Sequence, residues 1–276
     1  MAATASIEGL PDLHQPYRLT GRQIADFRRD GHVLLRGVCS PVEIDAFRPR
    51  IRDAAVRHNR ESRPLAERDA YGKAFLQTLN LRLVSAAVRR FVTSRRIGRI
   101  AAELMGVEGI RLFHEQSLFK EPGGGGTPWH QDQYYWPLLG WTTIGMWMPL
   151  VPCAIDMGAI RFASGSHRCG DLGGADISDG SEARFDRLVR ERGYPVSCEA
   201  MEPGDATFHN GWTLHGTGPN LTDRMREAMV MSMYADGMRV AQPTNPQQEG
   251  DRINFLGGRA PGEFADGELN ELIYRT

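Results

Sequence analysis

After Ile110 the chain stops repeating at helical spacing and breaks into short apolar or alternating runs divided by Gly, Pro and Asn. These runs cover residues 111–119, 143–151, 198–201, 206–209 and 226–234. Many short strands with turn punctuation form a sandwich or jelly roll, because a parallel sheet would need helices between its strands. A mainly β core with flanking helices is therefore expected.

The residues before this core read as helical. Residues 1–16 form a loose leader. Thr20 caps a helix to Asp30, with Ile24 and Phe27 on one face and Gly31 as its stop. Residues 32–38 read as a strand. Ser40 then caps a second helix to His58, with Pro41 at its first position and Glu43 three residues after the cap. Residues 59–70 are charged and expected to be mobile. Residues 74–105 carry helical spacing through Phe75, Leu79, Leu83, Val88, Phe91, Ile97, Ile100 and Leu104. The expected organisation is one domain over 1–276: a largely helical part (1–109) packed on a β core (110–237), then a C-terminal loop or lid segment (238–276). Residues 170–195 and 238–264 lack periodicity and are the expected lids.

Composition narrows the class. In 276 residues, 33 basic side chains face 34 acidic ones. No global basic field attracts nucleic acid. Cys39, Cys153, Cys169 and Cys198 show no CxxC spacing, so free thiols in a reducing compartment are expected rather than a zinc site or a disulfide framework. No basic stretch followed by an apolar run suggests a signal peptide, and no apolar run suggests a membrane span. The expectation is a cytoplasmic enzyme, monomeric or a small homo-oligomer, acting on a small molecule.

The chemistry centres on Trp129-His130-Gln131-Asp132. In extended chain, residues i and i+2 share a face about 6.5–7 Å apart, so His130 and Asp132 converge on one ion. His215, 85 residues on, supplies a third ligand. Two imidazoles and one carboxylate on one face leave opposite positions open, the arrangement of non-haem Fe(II) oxygenases. An HxD pair alone recurs by chance as a surface turn. Arg226 adds weight, 11 residues past His215 and beyond a Gly-Pro-Asn turn that returns the next strand beside the metal. On that strand Arg226, Ala228, Val230, Ser232 and Tyr234 share one face. Met229, Met231 and Met233 share the other with Met225, a stripe that reads as packing against helices. An inward guanidinium needs an anion, and a dicarboxylate cosubstrate binds it bidentately.

Ordered motifs over residues 17–237 resemble the phytanoyl-CoA dioxygenase family. They are Leu19-Thr20 with Asp30-Gly31, Trp129-His130-Gln131-Asp132, Met157-Gly158-Ala159-Ile160-Arg161 with Gly165-Ser166-His167, Glu202-Pro203-Gly204-Asp205, and His215-Gly216-Thr217-Gly218-Pro219-Asn220 with Arg226. The resemblance implies a double-stranded β-helix (a cupin-like jelly roll) with Fe(II), 2-oxoglutarate and O2 at one mouth. It implies cosubstrate contacts at Gln116 and Thr217, an aromatic lining residue at Trp147, and a polar contact from a preceding helix at Gln77. Asp132 stands where related halogenases carry Gly or Ala, which disfavours halogenation. Family members acting on acyl-CoA thioesters, amino-acid-like metabolites and polyketides leave the substrate open. The aromatic cluster and scarcity of lysine favour bacterial polyketide tailoring, by hydroxylation or by radical cyclisation or epimerisation. Acyl-CoA or amino-acid-like substrates, and a 2-oxoglutarate-independent metal hydrolase or isomerase, stand as alternatives.

Further substrate contacts are expected at His114, on the same strand face as Gln116, at Tyr134, Tyr135 and Trp136 just past HxD, and at His209. His209 reads equally as a satisfied core histidine. Gly123–Gly126 lacks the Gly-Lys-Ser/Thr of a phosphate loop and reads as a hairpin connection.

Overall fold

A computed structural model describes residues 7–173 and 178–276. Strong local signals set its first third. Helix α1 (Gly21–Asp30) begins with a reciprocal capping box between Thr20 and Gln23 and stops at Gly31, whose φ is +78°. Strand β1 (His32–Leu35) is shorter than expected, because the chain turns at Gly37 to let its N–H donate to the Asp205 carboxylate. Helix α2 (Pro41–His58) has its own box between Ser40 and Glu43. The Glu43 carboxylate also accepts from Arg96, at 2.8 and 2.9 Å.

The expectation of continuous helical texture over 74–105 is corrected. Helix α3 (Ala70–Ala74) ends at extended Phe75, and strand β2 (Leu76–Leu79) follows. Asn80, at φ +53°, breaks the chain before helices α4 (Ala86–Val92) and α5 (Arg95–Met105). Residues 76–79 find an open edge of the main sheet, and ladder hydrogen bonds outweigh local propensity. Residues 59–70 also differ from expectation. They hold a single-turn helix at Leu65–Glu67, and Arg68 is buried in an ion pair with Glu121.

The remaining elements are strands β3 (Gly109–Lys120), β4 (Thr127–His130), β5 (Thr143–Pro149) and β6 (Ile160–Ala163), then helix α6 (Asp179–Arg192). Strands β7 (Val196–Cys198), β8 (Ala206–Asn210), β9 (His215–Thr217) and β10 (Arg226–Ala235), helix α7 (Pro246–Phe255) and strand β11 (Leu272–Arg275) complete the chain. Two antiparallel sheets result. The larger runs β1-β8-β5-β10-β3-β11, with β2 also on β3; the smaller runs β4-β9-β6-β7. Their inner faces enclose a cavity, and this is the expected jelly-roll core.

The period-2 pattern of β10 decides what lies where. Met229, Met231 and Met233 are fully buried on its outer face, against Met146, Met148, Phe208 and the helices that carry Phe47, Phe91 and Ile100. Arg226, Val230 and Ser232 face the cavity. The smaller sheet is backed by α6, whose Phe185 and Val189 pack with Trp129 and Leu214.

Candidate active site

His130 ends β4, but Asp132 does not continue a strand. It opens a single-turn helix, Asp132–Tyr134, after Gln131 in extended conformation (φ −118°, ψ 124°). The i, i+2 convergence survives because only the intervening residue must be extended. Register pairs His130 with His215 on neighbouring β9. Asp132 Oδ1 stands 3.6 Å from His130 Nε2 and 3.7 Å from His215 Nε2. One donor atom from each of the three residues lies within 4.8 Å of the others. Each imidazole is oriented by a backbone carbonyl that accepts from Nδ1, Pro128 for His130 (2.8 Å) and Thr213 for His215 (2.9 Å). Carbonyls only accept, so both Nδ1 atoms carry the proton and both Nε2 lone pairs point inward. Burial lowers the basicity of both rings, keeping them in the neutral form a metal requires. Burial by itself would raise the Asp132 carboxyl, yet it lies below the usual carboxylate range among these histidines, and His209 supplies the hydrogen bond that neutral rings allow.

His209 does more than fill the core. Its Nε2 donates to Asp132 Oδ2 at 3.1 Å, leaving Oδ1 toward His130 and His215. A Cβ at Gly145 on β5 would stand 2.5 Å from the His209 ring, so only glycine admits it there.

Arg226 also lines the cavity, with 1% of its surface exposed. Its Nη1 and Nη2 donate to the carbonyls of Gly158 and Leu118, both at 3.2 Å, and Nε has no partner. Its guanidinium sits 5.2 Å from the centre of the Trp147 ring. No carboxylate pairs with it among the described residues, and burial pulls its pKa down to about 10. Lys120, fully buried and directly opposite Arg226 in register, is pushed to about 6 by burial and by Arg226. A buried guanidinium without a carboxylate makes a site that an anion completes. Thr217 lines the cavity nearby, its hydroxyl 3.1 Å from that of Thr127. Gln116 and Gln77 lie side by side, Gln77 Nε2 donating to Gln116 Oε1, and the Tyr71 hydroxyl donates to Gln77 Oε1 at 3.0 Å. Gln77 reaches the cavity from strand β2, not from the expected helix.

The cavity measures about 560 Å³. His114, Tyr135, Trp136, Trp147 and His209 are among its lining residues; Tyr134 is not. The Tyr134 carbonyl instead accepts from Asn245 and Gln248 of the α7 cap, which anchors that helix over the opening. Residues 170–195 line no part of the cavity among the described residues; α6 backs the smaller sheet, where Glu182 accepts from the Trp129 N–H at 2.8 Å and so braces the HxD strand. The covering element is α7, which the 238–264 expectation contained but read as irregular. Sequence reasoning missed Tyr71, Phe75, Lys120, Asp251 and Phe255. For the α7 residues a signal existed: Gln247, Asp251, Asn254 and Phe255 fall at i, i+4, i+7 and i+8 behind an Asn-Pro helix start.

The model of the family described as phytanoyl-CoA dioxygenase (PhyH) matches residues 27–228. The chain belongs to the phytanoyl-CoA dioxygenase family. It is a non-haem iron- and 2-oxoglutarate-dependent dioxygenase that uses O2. Among curated relatives, Dioxygenase FrzG of Cladobotryum sp is 26% identical over 75% of this chain and 71% of its own. The methylphosphonate hydroxylase of Gimesia maris is 25% identical over 79% of this chain and 81% of its own. Among solved structures, the 2-oxoglutarate-dependent epimerase SnoN from nogalamycin biosynthesis is 25% identical, covers 92% of this chain and 96% of its own, and superposes with a TM-score of 0.74. The carbocyclase SnoK from nogalamycin biosynthesis shares the fold at TM-score 0.76 and 22% identity, over 96% of this chain and 99% of its own. The residues fit the family's cofactors. The triad offers three donors to one ion, and the uncompensated Arg226 suits a dicarboxylate. No helix among the described residues is long and apolar enough to cross a membrane.

Proposed function

We propose that this dioxygenase oxidises a C–H bond of a bulky, aromatic-faced natural product, with iron on His130, Asp132 and His215 and 2-oxoglutarate anchored by Arg226. The observation that carries the reading is a single cavity lined both by the triad and Arg226 and by the aromatic side chains Phe75, Tyr135, Trp136 and Phe255. Its volume of about 560 Å³ suits a polycyclic body better than methylphosphonate. A phosphonate or CoA phosphate would also need cations, and Arg226 is the only Arg or Lys among the described lining residues. The likeness to an epimerase of nogalamycin biosynthesis supports the same direction. A metal hydrolase on this barrel would leave Arg226 buried with nothing to bind.

When bound, iron and 2-oxoglutarate supply the oxidant, as O2 is reduced and the cosubstrate loses CO2 to become succinate. The chain does the rest. His130, Asp132 and His215 would hold the iron through one donor atom each. Arg226 would take the distal carboxylate of 2-oxoglutarate, with Thr217 and Gln116, the latter held by Gln77, offering further polar contacts in the same cavity. His209 holds the free oxygen of Asp132. Aromatic walls and α7 exclude water and place the C–H bond. Hydroxylation adds one oxygen to product mass, epimerisation leaves mass unchanged, and oxidative cyclisation removes two hydrogens.

The test is iron- and oxygen-dependent succinate release from 2-oxoglutarate in the presence of polycyclic polyketides. Asp132→Ala should abolish it. Equal turnover without iron, or full activity of Asp132→Ala, would remove the triad from the reaction.

A further inference from the structure

The charges that line the cavity do not cancel when its cofactors are counted. Among the described lining residues, the Asp, Glu, Lys and Arg side chains are Asp132, Arg226 and Asp251. Iron and Arg226 together balance Asp132 and the two carboxylates of 2-oxoglutarate. Lys120 lies behind Arg226, outside the lining, and burial favours its neutral form. The carboxylate of Asp251 is left over.

Asp251 sits on the cavity face of α7, one turn before Phe255. Phe255 packs on His114 with ring centroids 4.7 Å apart, so this face of the helix is seated over the chamber. Neighbouring Glu249 and Arg252 are occupied with each other at 2.7 Å. Asp251 has no hydrogen bond and no ion pair among the described residues, and burial raises its carboxyl to about 7. The group that feels its charge is Tyr71, which lines the same cavity. A half-buried carboxylate without a partner is costly, and it is retained where a ligand supplies the partner. The same lining carries the aromatic rings of Tyr71, Phe75, Tyr135, Trp136 and Phe255, which favour a cation over an anion.

We propose that Asp251 is a specificity residue that pairs with a protonated amine carried on the aromatic substrate. The inference rests on the reading of this cavity as the substrate chamber. It narrows the substrate class to basic molecules: a flat apolar body against Phe75, Trp136 and Phe255, with its amine toward α7 and the reacting carbon toward the triad. The neutral counterpart, with its amine acylated, leaves Asp251 buried without a cation and is disfavoured.

The experiment uses the full chain loaded with Fe(II) and 2-oxoglutarate under argon. Matched pairs of polycyclic aromatic amines and their N-acetyl derivatives, with daunorubicin and N-acetyldaunorubicin as one pair, are offered together and the retained members counted by mass spectrometry. Wild type should retain the amine over its acetylated twin by about tenfold or more, as a charge-assisted contact allows. Asp251→Asn, which keeps shape and hydrogen bonding but loses charge, should bring the ratio near one. Its melting temperature should not fall, because an unpaired buried carboxyl is removed. Equal retention by wild type, retention of no amine, or a preference that survives in Asp251→Asn overturns the proposal. Loss of 2-oxoglutarate binding in the wild-type control would instead overturn the reading of the cavity itself.

Discussion

At the scale of single residues, this site works by leaving some polar groups unpaired and pairing others twice. Arg226 is buried with no carboxylate, so it waits for an anion. Asp132 is the opposite case: both its oxygens are committed, Oδ1 toward His130 and His215 and Oδ2 toward His209. An unheld carboxylate would rotate or turn its second oxygen into the open positions. His209→Ala should therefore weaken iron binding by about 10- to 100-fold, and His209→Gln, which retains a donor, should recover part of the loss. Metal titration followed by calorimetry checks this; unchanged affinity in His209→Ala would reduce His209 to packing. The variant should otherwise keep its fold.

At the scale of elements, α7 is the piece that closes the chamber, and it is held at its start. The Asn245 side chain accepts from the Gln248 N–H at 2.8 Å, while its amide and that of Gln248 donate to the Tyr134 carbonyl. Asn245→Ala removes the cap, at a cost of about 1 kcal/mol to the helix. Substrate KM should rise, and the share of 2-oxoglutarate consumed without product should increase several-fold, while 2-oxoglutarate binding holds. Coupling measured as succinate against product decides it; unchanged coupling would mean α7 does not seal the site. This element also shows where sequence reading runs out. The α1 and α2 boundaries were legible because caps are local: Thr20, Ser40, Glu43 and Gly31 act within four residues of themselves. His130 and Asp132 could be paired from their i, i+2 spacing, which is local, while His215 came in through Arg226, Thr217 and the ordered family motifs; the three donors do gather in the fold. Strand β2 was not legible, because its partners lie 37 to 43 residues away on β3 and its own residues suit a helix equally well. Glu182 and Asp251 were not, because each acts across a gap that only the tertiary fold closes.

At the scale of the whole molecule, the jelly roll splits its two faces between stability and chemistry. The outer face of the larger sheet buries methionines and phenylalanines against four helices. The inner face carries the cationic end of the cavity, and there the fold gives up stability for binding. Lys120 is held to about 6 in the folded chain against 10.5 when free. Between those values the unfolded chain binds the extra proton, so stability of the cofactor-free protein should rise with pH from about 6 to 10. Lys120→Met should flatten that slope and raise the melting temperature most at the acid end. A slope that persists in Lys120→Met would place its origin elsewhere. The central claim is that one cavity holds both metal and cosubstrate, by the triad and Arg226 respectively. Its most direct test is an anaerobic titration of the Fe(II)-loaded protein with 2-oxoglutarate, followed by the visible charge-transfer absorption that a chelated keto acid produces on iron. Wild type should develop the band saturably, Asp132→Ala should lose it, and Arg226→Met should need about 100-fold more 2-oxoglutarate to reach it, the loss expected when a buried charge pair is broken. A wild-type protein that binds iron but never develops the band, or an Arg226→Met that saturates like wild type, would contradict the account.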